Sequence, residues 1–92
     1  MPRRIQPRKI VAPPRFKRWV PDIPGGKASG KIDLFYEEYE AIKLADYELL
    51  NHDEASIIMG VSRPTFARIY ESARRKIAMA MVELKEIVSV YG

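Results

Sequence analysis

From residue 35 onward, apolar residues recur every three or four positions: Phe35, Tyr39, Ile42, Ala45 and Leu49. Glu37, Glu40 and Lys43 fall between them. This spacing gives one apolar face at helical periodicity, so it predicts a helix near 36–47 with the charged residues turned away from the core. The acids gather in its first turn, where they suit the partial positive charge of a helix start. "NHDEASIIMG" then predicts a short helix over about 52–59. Asn51 and Glu54 have the spacing of a capping box, and Gly60 suits the left-handed conformation that ends a helix. Ser62 is expected to cap a third helix, with Pro64 in the first turn, where a backbone N–H has no intrahelical partner to lose. Phe66, Ile69, Tyr70, Ala73, Ile77, Ala80, Met81 and Leu84 continue one stripe along that helix, which is predicted to end near 84. Residues 87–90, "IVSV", are mostly β-branched and predict a final strand.

Upstream of residue 32 the periodicity disappears. Residues 1–31 hold six of the seven prolines and three of the five glycines, a composition that excludes a long helix. "RKIVA" within this arm and "KIDLF" just after it are the short strand candidates, and "PGGKASG" reads as a turn. The final strand is expected to pair with one or the other of these two. Phe16, Trp19 and Val20 are expected to anchor the arm on the core. The chain therefore divides into a basic extended arm, 1–31, and a domain over 32–92. The fold class read from this pattern is mainly α: a three-helix core with a proline-rich arm and a small β-sheet.

Composition narrows the functional classes. Ninety-two residues, 47% of them apolar, suffice for one modest core. The chain has no cysteine, which removes disulfides, thiolate metal sites and a cysteine nucleophile and fits a reducing cytoplasm. No apolar run approaches the roughly 18 residues of a membrane span, and the basic start is followed by prolines rather than an apolar signal core. A soluble, unprocessed, cytoplasmic protein with no membrane contact is expected. Charge is uneven: residues 1–31 carry nine Lys/Arg against one acid, 32–61 one against eight, and 62–92 six against three. Either two basic segments meet a polyanion while the middle does not, or the acidic stretch neutralises the basic ones inside the fold.

The third predicted helix favours nucleic acid. Two short helices joined by a tight glycine turn, the second starting with a cap and basic residues, form the helix-turn-helix pattern. The small Ser56 lies where the helices approach, and Val61, Phe66 and Ile69 are expected to fill the wedge, with Ala55 and Met59 also facing in. At about 100° per residue, the face opposite Phe66, Ala73 and Ile77 comprises Pro64, Arg68, Glu71, Ser72 and Arg75. Arg63 and Thr65 flank it at the first turn. In a major groove, arginine can make two hydrogen bonds to guanine O6 and N7, and Arg68 is the foremost candidate for this reading. Arg63 and Thr65 would read bases or hold phosphate, as would the capping Ser62. Arg74, Arg75 and Lys76 are expected on the backbone. Glu71 would repel phosphate unless it pairs with Arg68 or Arg75, or accepts from cytosine N4. In the arm, Arg3 and Arg4 are candidates for an adjacent minor groove; the alternative is that the arm supports the fold or a partner subunit.

"MPR" at the start, "EEYEAIKLADYE" in the middle and "MGVSRPTFARIYESARRKIAMAM" after it resemble the small prokaryotic proteins grouped as domain of unknown function 134, predicted DNA-binding proteins. Their helix-turn-helix is similar to the sigma-factor region that reads the promoter −35 element, which implies a sigma region-four-like core with residues 62–72 in a major groove. Many members have two cysteines in the arm where this chain has Pro7 and Val11, which puts any metal or redox role in doubt here. A glycine usual in the bend before the second helix is Leu49, and another after the third helix is absent around Glu83–Lys85.

The expected function is sequence-specific binding of double-stranded DNA, as a transcriptional regulator acting as a homodimer on a repeated site. The alternatives are a protein-interaction adaptor, for example to RNA polymerase, or an RNA-binding module. An enzyme is not expected: His52 is the only histidine, and no phosphate loop, nucleophile elbow or metal-ligand cluster is present. No cofactor or metal is expected.

Overall fold

The computed structural model describes residues 13–91. Those residues form, in order, β1 (Arg18–Trp19), β2 (Lys31–Phe35), α1 (Tyr36–Ile42), α2 (His52–Met59), α3 (Arg63–Glu83) and β3 (Glu86–Val90). The architecture is mixed α/β rather than mainly α. β3 is the central strand of a three-stranded sheet in the order β1-β3-β2. It runs parallel to β2, pairing Ile32 with Ile87 and Leu34 with Ser89, and antiparallel to β1. The pairing of "KIDLF" with the final strand is thus present, while "RKIVA" lies outside the described residues. β1 has no counterpart in the sequence reading, since two residues give no periodicity to read.

The arm reaches the sheet through backbone, one ring and an ion pair of Arg18 with Glu86 at 2.6 Å. Ser89 donates its N–H to Lys17 O at 2.9 Å and its hydroxyl to Phe16 O at 2.8 Å. The Phe16 ring meets Tyr39 edge-on at 6.0 Å. Trp19 and Val20, expected as further anchors, remain 64% and 58% exposed. Ser29 closes the opposite side of the connection by donating to the carbonyls at the end of α3, from N–H to Leu84 O and from hydroxyl to Glu83 O. These bonds satisfy acceptors that a helix C-terminus leaves open.

The first helical stretch covers the predicted range, but its geometry changes partway. α1 continues as a π-helical turn over Lys43–Tyr47, with Glu48 N–H donating to Lys43 O and Leu50 N–H to Leu44 O. The burial register also differs from the simple stripe. Ala41 and Leu44 are the residues of this stretch that enter the core, Leu49 is exposed, and Glu38 and Glu40 are buried. The physical reason is that the helix is covered on more than one side. α3 packs along it, while Tyr39 and Ile42 face a second apolar surface shared with the arm and the sheet.

α2 and α3 follow the capping signals closely. Asn51 Oδ1 accepts from Glu54 N–H, and Glu54 Oε1 accepts from Asn51 N–H. Gly60 has φ 72°, and its N–H returns to Ile57 O. Ser62 Oγ accepts from Thr65 N–H, and Pro64 sits in the first turn of α3. Ala41, Leu44, Ala55, Met59 and Phe66 make one buried cluster, flanked by Val61, Ile69 and Tyr70. The predicted wedge is therefore filled as expected. Among the described residues no helix is long and apolar enough to cross a membrane.

Candidate nucleic-acid interface

α3 is amphipathic by necessity: Phe66, Ala73 and Ala80 are buried at seven-residue intervals. The side chains between them divide into those held by other elements and those left in solvent. Glu38, near the start of α1, organises the first group. Its Oε1 accepts from Phe35 N–H at 2.9 Å and from Lys76 Nζ at 2.8 Å, and its Oε2 accepts from Ser72 Oγ at 2.6 Å. Lys76 also donates to Asp33 O at 2.8 Å, and its ammonium lies 4.1 Å from the Phe35 ring centroid. Ser72 is thus turned toward α1, contrary to its expected place on the outer face. Lys76 is committed to the buried Glu38 rather than presented to a backbone. Sequence spacing alone missed this, because Glu38 looked like one more acid of a solvated first turn.

Asp46 holds the next pair. It accepts from Tyr70 OH at 2.6 Å and pairs with Arg74 Nε at 3.3 Å, while the Arg74 guanidinium lies 5.4 Å from the Tyr70 ring centroid. The hydrogen bond to Asp46 raises the Tyr70 pKa above its ordinary value, with burial adding in the same direction. At the helix start, Arg63 Nε is 2.9 Å from Asp53 Oδ1, with both side chains well exposed. Ser62 donates its hydroxyl to Thr65 Oγ1 at 3.0 Å. Acids of the middle segment therefore do pair with cations of α3, through Glu38, Asp46 and Asp53.

Arg68 and Arg75 stand apart. Both are exposed, and neither makes a hydrogen bond or ion pair with the described residues. Seven residues separate them, which is about 10.5 Å along a helix axis and nearly two full turns, so they share one face. Pro64 is exposed on the same side of the helix start. Glu71 is exposed between them and forms neither of the ion pairs considered for it. Arg3 and Arg4 lie outside the described residues. His52 packs edge-on against Phe66 at 5.1 Å and Tyr70 at 5.3 Å, the environment of an aromatic packing residue. Among the described residues no group of three His, Asp or Glu side chains is arranged to hold a metal ion.

One further charged group lies in the interior. Glu40 is 2% exposed, and its Oε1 has no hydrogen-bond partner. Desolvation raises its pKa above the usual carboxylate value, against a lowering effect from Lys43.

Comparison with known proteins gives a consistent relationship. The family described as "Protein of unknown function DUF134" matches residues 1–92. A UPF0251 protein of Chloroherpeton thalassium is 48% identical over 88 residues, covering 96% of this chain and 58% of the relative. One from Pyrococcus horikoshii is 43% identical over 82 residues, covering 88% and 74% respectively. A third, from Syntrophobacter fumaroxidans, is 43% identical over 83 residues, covering 90% and 53%. The chain thus spans little more than half the length of some of the relatives it matches. No solved structure matches it.

Proposed function

The chain belongs to the DUF134 family, and from the geometry of this member we propose that it binds double-stranded DNA in a sequence-specific manner, as a transcriptional regulator. In this reading α2, the Gly60 turn and α3 act as a helix-turn-helix of the sigma region-four type. The first half of α3 enters the major groove, and Arg68 reads base edges. The observation that carries the proposal is the contrast along α3: Ser72, Arg74 and Lys76 have internal partners, while Arg68 and Arg75 have none among the described residues and share one exposed face.

The start of α3 suits this role electrostatically. Its acid-free first turn offers the positive end of the helix dipole to phosphate. The Arg63–Asp53 pair is exposed, so it contributes no more than about 1 kcal/mol and gives way readily when a phosphate competes. Arg74 can exchange Asp46 for phosphate in the same manner. Ser62, Pro64 and Thr65 shape the entry of the chain rather than carrying charge to it. A homodimer on a repeated site is part of the proposal, because one such unit spans a single half-site.

The test is selection of bound duplexes from a random pool, followed by binding of the selected site and a scrambled control. Arg68→Ala should cost roughly 1 to 3 kcal/mol on the selected site and relax its preference, whereas Arg75→Ala should weaken both duplexes alike. Equal losses on both duplexes for both variants would refute the assignment of Arg68.

A further inference from the structure

The arm, α1, the sheet and the second half of α3 border an open apolar cleft of about 490 Å³. Tyr39, Ile77 and Ile87 line it, together with the exposed Trp19, Val20 and Met81. Trp19 and Met81 are 64% and 69% exposed, an unfavourable disposition for large apolar side chains that surround a concavity. The volume lies within the range of small-molecule sites, which combine apolar walls with a few polar groups that fix orientation.

Lys85 supplies the one charged group of this lining. Its ammonium forms an ion pair with Glu83 Oε1 at 3.6 Å and makes no hydrogen bond with the described residues. Lys76, by comparison, donates to both Glu38 and Asp33 O. A cation in the lining of an apolar cleft, with donors that make no hydrogen bond among the described residues, is complementary to a ligand with an apolar body and one anionic head. Charge-assisted hydrogen bonds of this kind are stronger than neutral ones.

We propose that this cleft binds a small amphipathic carboxylate, with its hydrocarbon or aryl body between Tyr39, Ile77 and Met81 and its carboxylate on Lys85 Nζ. The inference is independent of the DNA-binding reading. Trp19 is the only tryptophan in the chain, so its fluorescence reports occupancy directly. The full chain is titrated with octanoate and with 1-octanol, matched in apolar length and different in head group, at two protein concentrations.

The expected result is a saturable blue shift, with octanoate binding at least tenfold more tightly than octanol. Lys85→Gln should remove that preference and leave weak binding of both. Met81→Glu, at an exposed position that leaves the buried core intact, should abolish binding while far-UV circular dichroism stays unchanged. Three outcomes would overturn the proposal: no saturable shift with octanoate, equal affinity for both probes in the unsubstituted chain, or an emission shift that follows protein concentration alone. The last would identify a second copy as the occupant of the cleft.

Discussion

Leu49 and Leu84 have φ of 60° and 58°, the two positive-φ positions outside glycine in the described chain. A Cβ crowds the following carbonyl in this left-handed region, and a bulky residue there is unusual. These are the places where the family resemblance leads one to expect glycine. The turns have kept their left-handed geometry without the residue that adopts it freely. Leu84 still ends α3, and Lys85 N–H returns to Ala80 O. Leu49→Gly should raise stability by about 0.5–1 kcal/mol, relief of strain outweighing the greater freedom of glycine in the unfolded chain. Thermal denaturation would show this as a rise of several degrees in Tm for a domain this small. Glu40 also carries a cost. Its folded-state pKa is raised, so the folded protein binds more protons than the unfolded chain between the ordinary carboxylate pKa and the raised value. Stability should fall as pH rises through that window. Glu40→Gln should flatten the decline and stabilise the fold near pH 7 by on the order of 1 kcal/mol, as measured by urea denaturation at pH 4 and pH 7.

At the level of elements, the junction of β2 and α1 is tied to α3 by a single carboxylate. Glu38 gathers the Phe35 N–H, the Ser72 hydroxyl and the Lys76 ammonium. Cutting one partner of a buried pair leaves a charge without compensation, so the loss exceeds what the pair itself contributes. Lys76→Met should therefore destabilise the fold by about 2–3 kcal/mol, while Arg75→Ala, one position away on the exposed side, should stay within about 0.5 kcal/mol. Comparison of the two melting curves distinguishes a structural lysine from a surface arginine that the sequence places beside it. The same comparison protects the DNA assay, since weaker binding by a Lys76 variant would report loss of fold rather than loss of contact.

For the molecule as a whole, α3 is one uninterrupted helix of 21 residues. It carries Arg68 on its first half and Arg75 just beyond its midpoint, and it lines the apolar cleft with its second half. The acids that neutralise Arg63, Arg74 and Lys76 leave few free cations in the described part of this face. On the proposed reading, DNA affinity should fall with salt, and Asp53 and Asp46 compete with phosphate for Arg63 and Arg74. Replacing both acids, Asp46→Asn with Asp53→Asn, should strengthen binding to selected and random duplexes alike by severalfold at low salt. A measurement of affinity against salt concentration tests this, and an unchanged or weaker affinity would exclude Arg63 and Arg74 from the interface.

Elements with local signals were legible in the chain alone. Asn51 with Glu54, Gly60, and Ser62 with Pro64 each settle a helix end within four residues, through hydrogen bonds to the neighbouring backbone. β-Branched residues likewise marked β3, and the spacing of Phe66, Ala73 and Ala80 marked the buried face of α3. Only the tertiary structure decided which charges are free. Glu38 and Lys76 are 38 residues apart, Asp46 and Tyr70 24, and no periodic pattern records a meeting over such separations. A helix covered on one side separates apolar from charged residues along its length, and this can be read from one strand of letters. α1 is covered on several sides, so its acids can be buried against partners that only folding brings near.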